Sequence, residues 1–252
     1  MEHASPTAAV LIIGDEILSG RTADTNLNTI ARFLGALGID LMEARTVGDR
    51  PGQIVEALNA LRAGHDYVFT TGGIGPTHDD ITADCVAQAF GVGIGERADA
   101  LALLERRYGD ALNEARCRMA RIPDGGVLIA NPVTDAPGFQ IGNVFVMAGV
   151  PKIMTAMLED VAGRLRTGAV VHARTLRVTG VGEGAIAAPL AEAARASTDL
   201  SFGSYPFGAG SDGEVGTNLV VRGRDAAAVE AAIDALARRL DEDDIVTVKI
   251  AV

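Results

Sequence analysis

The sequence predicts an α/β protein: a mostly parallel sheet covered by helices, followed by a small α+β domain. Three observations predict it. Strand and helix patterns alternate from residue 8 to residue 71, the glycine-rich stretch TGGIGPTHDDIT then leads into a helix, and the pattern changes after Gly168. The expected division is 1–170 and 171–252.

Residues 8–14 form a short apolar run ending at Gly14, which reads as a buried strand rather than a helix. Residues 25–37 place Leu27, Ile30, Ala31, Leu34 and Leu37 at helical spacing, with Asp24 or Thr25 as cap and Gly38 as stop. Residues 39–47 form a second strand. Pro51 suits the first turn of a helix whose apolar positions Ile54, Leu58 and Leu61 run toward Gly64, and residues 67–71 form a third strand. This strand–helix order favours parallel pairing with right-handed crossovers.

Helices are expected over 81–90 and 98–121, the second broken around Gly109 and Asp110. Strands are expected over 127–130 and 139–147, with a hairpin turn at Gly142-Asn143, and Pro151 opens a helix ending near Gly168. Beyond it come strand 175–179, helix 185–196, strands 201–206 and 218–222, helix 226–240 and strand 245–252, with a glycine-rich loop over 208–216. The apolar stripe Val229, Ala232, Ile233, Leu236 and Leu240 needs a sheet to cover it.

Composition narrows the function. With 22 Lys and Arg against 33 Asp and Glu, the net charge of −11 opposes nucleic acid and anionic membranes alike. The early apolar run is too short to span a bilayer and lacks a basic leader, so a cytoplasmic location is expected. Cys85 and Cys117 stand apart, without zinc-ligand spacing.

In an open parallel sheet, ligands lie beyond the carboxyl ends of the strands. Those ends here carry Asp15 and Glu16, Asp49, and the Asp79-Asp80 pair. Carboxylates gathered on one rim call for a cation, and a hard divalent ion takes oxygen ligands shared with phosphates. Gly72, Gly73 and Gly75 allow close backbone approach, and the helix that follows offers free N–H groups to an anion. The loop has neither a P-loop ending nor a GxGxxG fingerprint, so no ATPase or Rossmann site is indicated. Asp80 could equally cap its helix, Asp79 could be a solvated loop acid, and Asp49 could stabilise the Pro51 helix. His78 is a secondary candidate for proton transfer or phosphate donation, and Ser19 lacks a nucleophile-elbow context.

GDEILSG, DTN, VGD and TGGIGPTHDDIT, followed by NPVTDAPGF and AGVPKIM, resemble the molybdopterin-binding fold of molybdenum-cofactor biosynthesis proteins. The resemblance is closest to the competence/damage-inducible protein A (CinA-like) branch. GVGEG, SYPFG and GTNLVVRG resemble the smaller domain that follows in that branch and in some FAD synthases.

The resemblance implies a three-layer α/β/α core and a KH-like second domain. It implies binding of molybdopterin or a related nucleotide, and metal-dependent hydrolysis of nucleotide pyrophosphates such as ADP-ribose. Asp49 and Asp80 would hold magnesium, manganese or cobalt and carry catalysis. Thr71, Gly72, Gly73, Gly75 and Thr77 would grip phosphate beside Asp79. Glu16 would help place metal or substrate, and Asn131, Gly138 and Gly149 would shape the pocket. The alternatives are a molybdopterin carrier or sensor without turnover, and a molybdopterin adenylyltransferase.

Thr134, Ala148 and Ile153 depart from the residues usual in the family, as does Gly184. A homo-oligomer is expected from family habit. With the chain ending at Val252, amidohydrolase activity on nicotinamide mononucleotide is not expected. RNA binding by the second domain is disfavoured by its 8 Lys and Arg against 12 Asp and Glu from Ala173 onward.

Overall fold

A computed structural model describes residues 5–208 and 214–250, and the chain divides into two compact units, Met1–Gly168 and Ala169–Val252. His3, residues 209–213 of the expected glycine-rich loop, and residues 251–252 of the last expected strand lie outside the described residues.

The first unit runs β1 (Thr7–Ile13), α1 (Asp15–Leu18), α2 (Asn26–Ala36), β2 (Asp40–Val47), α3 (Pro51–Gly64), β3 (Tyr67–Thr71) and α4 (Thr82–Phe90). It continues with β4 (Ile94–Glu96), α5 (Ala98–Tyr108), α6 (Glu114–Cys117), β5 (Arg121–Pro123), β6 (Val127–Ile129), β7 (Gly138–Ile141), β8 (Val144–Met147) and α7 (Pro151–Val161). The main sheet has the order β2-β1-β3-β8-β7-β6. Its first four strands pair in parallel, and β7 and β6 close it as antiparallel neighbours.

Why the sheet carries helices on both faces follows from β1. Ala9, Leu11 and Ile13 point into one core with Ile54, Leu58 and Leu61 of α3 and Val86 of α4. The alternate residues Ala8, Val10 and Ile12 point into the other, with Ile30 and Leu34 of α2 and Met154 and Leu158 of α7. A strand buried on both sides has no polar face, hence its unbroken apolar sequence. Phe69 and Phe145 stack at 5.0 Å on the second face, adding to the burial that holds the central strands in register.

The helix expected over 98–121 breaks where expected: α5 stops at Tyr108, because Gly109 takes φ 49 and ends the helical path, but beyond the break it resumes only for the four residues of α6. A 3-10 turn (Gly109–Ala111), α6 and a second 3-10 turn (Arg118–Ala120) follow. Residues 121–123 then pair with β4, Ile94 opposite Pro123. The helix from Pro151 stops at Val161, short of the expected end near Gly168, and after one 3-10 turn Leu165 adopts an extended backbone that returns its side chain to the core.

The second unit runs β9 (His172–Thr179), α8 (Glu183–Ala196), β10 (Ser201–Phe207), β11 (Gly216–Gly223), α9 (Ala226–Asp241) and β12 (Thr247–Ile250). Its antiparallel sheet has the order β10-β11-β9-β12. Leu176, Val178, Leu219 and Val221 meet Val229, Ile233, Leu236 and Leu240 of α9 in a single core. Asp225 caps α9 by accepting from the Ala227 and Ala228 amides. Among the described residues no helix is long and apolar enough to cross a membrane.

Candidate functional site

Beyond β3 the chain cannot continue as a strand. Gly72 and Gly73 take φ 104 and 65. A β-carbon on Gly72 would lie 2.1 Å from the Ile13 carbonyl oxygen, and one on Gly73 would lie 2.2 Å from Thr82 Oγ1. Both positions therefore require glycine. The turn is closed from within: Thr82 Oγ1 donates to the Gly72 carbonyl at 2.9 Å, and the Thr82 amide donates to the Gly73 carbonyl at 3.0 Å.

Asp80 is held by the same turn. Its Oδ2 accepts from the Thr77 amide at 2.8 Å and from the Thr77 hydroxyl at 2.5 Å, while Oδ1 has no partner among the described residues. A β-carbon on Gly75 would lie 2.7 Å from that Oδ2, so glycine makes room for the carboxylate. His78 is 98% exposed and stands in solvent, 3.9 Å from Asp79.

The loops after β1 and β2 are tied together. The Asp15 amide donates to Asp49 Oδ2 at 2.9 Å, the Gly14 amide donates to the Val47 carbonyl at 3.1 Å, and Arg50 reaches Asp15 at 3.0 Å. Asp49 thus secures the turn that carries Glu16. The DTN motif acts in a similar way. Asp24 caps α2 through the Leu27 amide, and the buried Asn26 donates to the Gly149 carbonyl at 2.7 Å, pinning the turn after β8 beside Gly72.

These turns surround a cleft of about 560 Å³, a volume suited to a small-molecule ligand. Glu16, Gly75, Asp80 and Gly149 line it, as do Thr134, Ala148 and Ile153. Sequence reasoning therefore assembled part of one wall. It missed the other wall, where Tyr108, Arg116 and Met119 come from the end of α5, α6 and the 3-10 turn beyond. The break at Gly109 was legible in the sequence, but nothing local marked the residues on either side of it as a wall.

The remaining expected residues lie around the cleft rather than in it. Asp49 is not among its lining residues. Thr71 is buried at the end of β3, and Gly138 is buried in β7, where a β-carbon would meet the Val146 carbonyl oxygen at 2.3 Å. Asn131 spends its amide on its own loop: Nδ2 donates to Thr134 Oγ1 and the Ala136 carbonyl, and Oδ1 accepts from the Val133 and Thr134 amides. It shapes the cleft by placing Thr134 and Ala136. Behind the glycine loop is a chamber of about 20 Å³, lined by Asp80, Asp84, Arg118 and Arg121 among others. That is room for about one water, beside the buried Arg118 Nε, which has no partner among the described residues.

Among the described residues no three His, Cys, Asp or Glu are grouped to hold a metal ion. Glu16 and Asp80 are two carboxylates on one cleft, the number with which a divalent ion is held when phosphate and water supply its other ligands.

Residues 9–167 match the family model described as "Probable molybdopterin binding domain", and residues 170–249 match that of the FAD synthase middle domain. A CinA-like protein of Gemmatimonas aurantiaca is 35% identical over 81% of this chain and 50% of its own length. One from Desulfovibrio desulfuricans is 34% identical over 93% of this chain and 57% of its own. The chain thus spans little more than half the length of these relatives. The crystal structure of CinA from Thermoplasma acidophilum, a protein of unknown function, is 36% identical with a TM-score of 0.61, covering 64% of this chain and 98% of that one.

Proposed function

We propose that this chain, which belongs to the molybdopterin-binding domain family and its CinA-like branch, binds a nucleotide or pterin phosphate in the cleft and hydrolyses a phosphoanhydride such as that of ADP-ribose. The observation that carries the proposal is Asp80: a carboxylate fixed by Thr77 within a glycine turn, with Oδ1 left unbonded, on the same cleft as Glu16.

The amides of Gly73, Ile74 and Gly75 donate to no group among the described residues and would face the phosphate, while Thr82 and Asp80 fill the space that side chains would take at the two glycines. Ile74, Met119, Val150 and Ile153 give the cleft an apolar wall for a planar ring. A hard divalent ion, when bound, would neutralise phosphate charge and polarise water. Glu16 and Asp80 are its assigned carboxylates, and Asp49 is assigned the supporting role of holding the Glu16 turn. Hydrolysis would form one P–O bond to water and break one bridging P–O bond, with Asp80 orienting the water on the phosphate side.

The experiment is a hydrolysis assay on ADP-ribose and FAD with magnesium, manganese or cobalt, using wild type and Asp80→Asn. Ion-dependent turnover that Asp80→Asn lowers by about 10²- to 10³-fold is expected. Intact substrates with every ion would refute the hydrolase. A carrier that binds a pterin without turnover is the second reading, in line with the match of residues 9–167 to a molybdopterin-binding domain. It requires binding by wild type without turnover, and altered affinity alone in Asp80→Asn.

A further inference from the structure

The charges lining the cleft are unevenly placed. Glu16 and Asp80 come from the turns after β1 and β3, whereas Arg116 comes from α6 on the other wall. Arg116 is held by two contacts: one donor goes to the Ala111 carbonyl, and its guanidinium lies 4.5 Å from the centre of the Tyr108 ring. Neither contact neutralises it. A guanidinium carries five N–H donors in a rigid fork that matches phosphate, so most of its donors remain for a ligand. Stacking on Tyr108 fixes the side chain before a ligand arrives, which lowers the entropy lost on binding.

Resting on the phosphoanhydride reading above, we infer that Arg116, steadied by Tyr108, is the specificity-determining residue that reads a second phosphate. A ligand with one phosphate satisfies the glycine turn and leaves Arg116 facing water. A ligand with two bridged phosphates can satisfy the glycine turn with one and Arg116 with the other. The substrate class is therefore a nucleoside diphosphate or its ester rather than a monophosphate, and the selectivity comes from the wall opposite the carboxylates.

The test is calorimetric titration of the full chain, with magnesium, against ADP-ribose in its non-hydrolysable methylene-bridged form, since the proposed turnover would consume the natural ester, and against ribose 5-phosphate. Wild type is compared with Arg116→Ala, Arg116→Lys and Arg116→Gln. The glutamine variant keeps a donor for the Ala111 carbonyl while removing the charge, so it separates recognition from folding, and circular dichroism checks each variant. Removing a charge-assisted hydrogen bond should weaken ADP-ribose binding by about 10- to 100-fold in the alanine and glutamine variants. Ribose 5-phosphate binding should stay within about threefold of wild type on the same scale, and the lysine variant should fall between. Equal losses for both ligands, or no loss, would overturn the role of Arg116 alone. Wild type that binds neither ligand, or binds both equally, would refute two-phosphate selection at this cleft. Binding of neither would also remove the phosphoanhydride reading.

Discussion

The two walls of the cleft are built by opposite means. The glycine turn over residues 72–81 is closed by contacts among near neighbours: Thr82 with Gly72 and Gly73, and Thr77 with Asp80. The facing wall adds a distant strand pairing to its local contacts. Gly109 ends α5, Asn113 restarts the chain by accepting from the Arg116 amide at 3.0 Å, and β4 captures residues 121–123. A turn specified by nearest neighbours can be read from sequence, whereas a wall placed by distant strand pairing cannot.

Substitutions should expose the difference. The largest effect is expected from Asp80→Asn. Loss of a group that acts on developing charge lowers turnover by about 10²- to 10³-fold, measured as ADP-ribose hydrolysis, with the melting temperature nearly unchanged. Next is Gly72→Ala, which forces a β-carbon toward the Ile13 carbonyl at 2.1 Å in a backbone of φ 104. Strain and clash together should cost about 3 kcal/mol, read by urea denaturation. If this variant kept wild-type stability, the closed geometry of the turn would be wrong.

On the other wall the expected losses are smaller. Asn113→Ala removes the cap of α6 and should cost about 1 kcal/mol, with weaker ADP-ribose binding because Arg116 loses its seat. An equally large loss of stability from this variant and Gly72→Ala would erase the distinction between the walls. The smallest effect is chemical. Cys85, on α4 behind the glycine turn, is buried and its thiol is pushed up to about 11, mainly by burial. Cys117 on α6 is partly exposed. A thiol with a raised value stays protonated at pH 8, and the thiolate is the reactive form. Iodoacetamide at that pH should therefore label Cys117 and leave Cys85, by peptide mass mapping, and labelling of Cys85 in the folded chain would show that the turn opens.

The fold was legible wherever periodicity and burial agreed. The unbroken apolar run of β1 and the stripes of α2, α3 and α9 follow directly from which faces they bury. Legibility failed beyond the break at Gly109, where α6 is four residues, β5 is three and helical spacing persists. Of the residues lining the cleft, Glu16, Gly75 and Asp80 stood out in the sequence because glycine and acid at strand ends carry a chemical meaning of their own. Asn26 acts through a carbonyl 123 residues away, and Asn131 through its own loop, so their placement depends on folding. Tyr108 and Arg116 had no such local mark.

The central claim is that one cleft, between the glycine turn and the α6 wall, takes both phosphates of a nucleotide diphosphate. A crystal structure of the chain with ADP-ribose and magnesium tests it most directly. The expected result is two phosphates lying between Gly75, Asp80 and Arg116, with the ion on the Glu16 side. A ligand bound elsewhere on the chain, with this cleft empty, would contradict it.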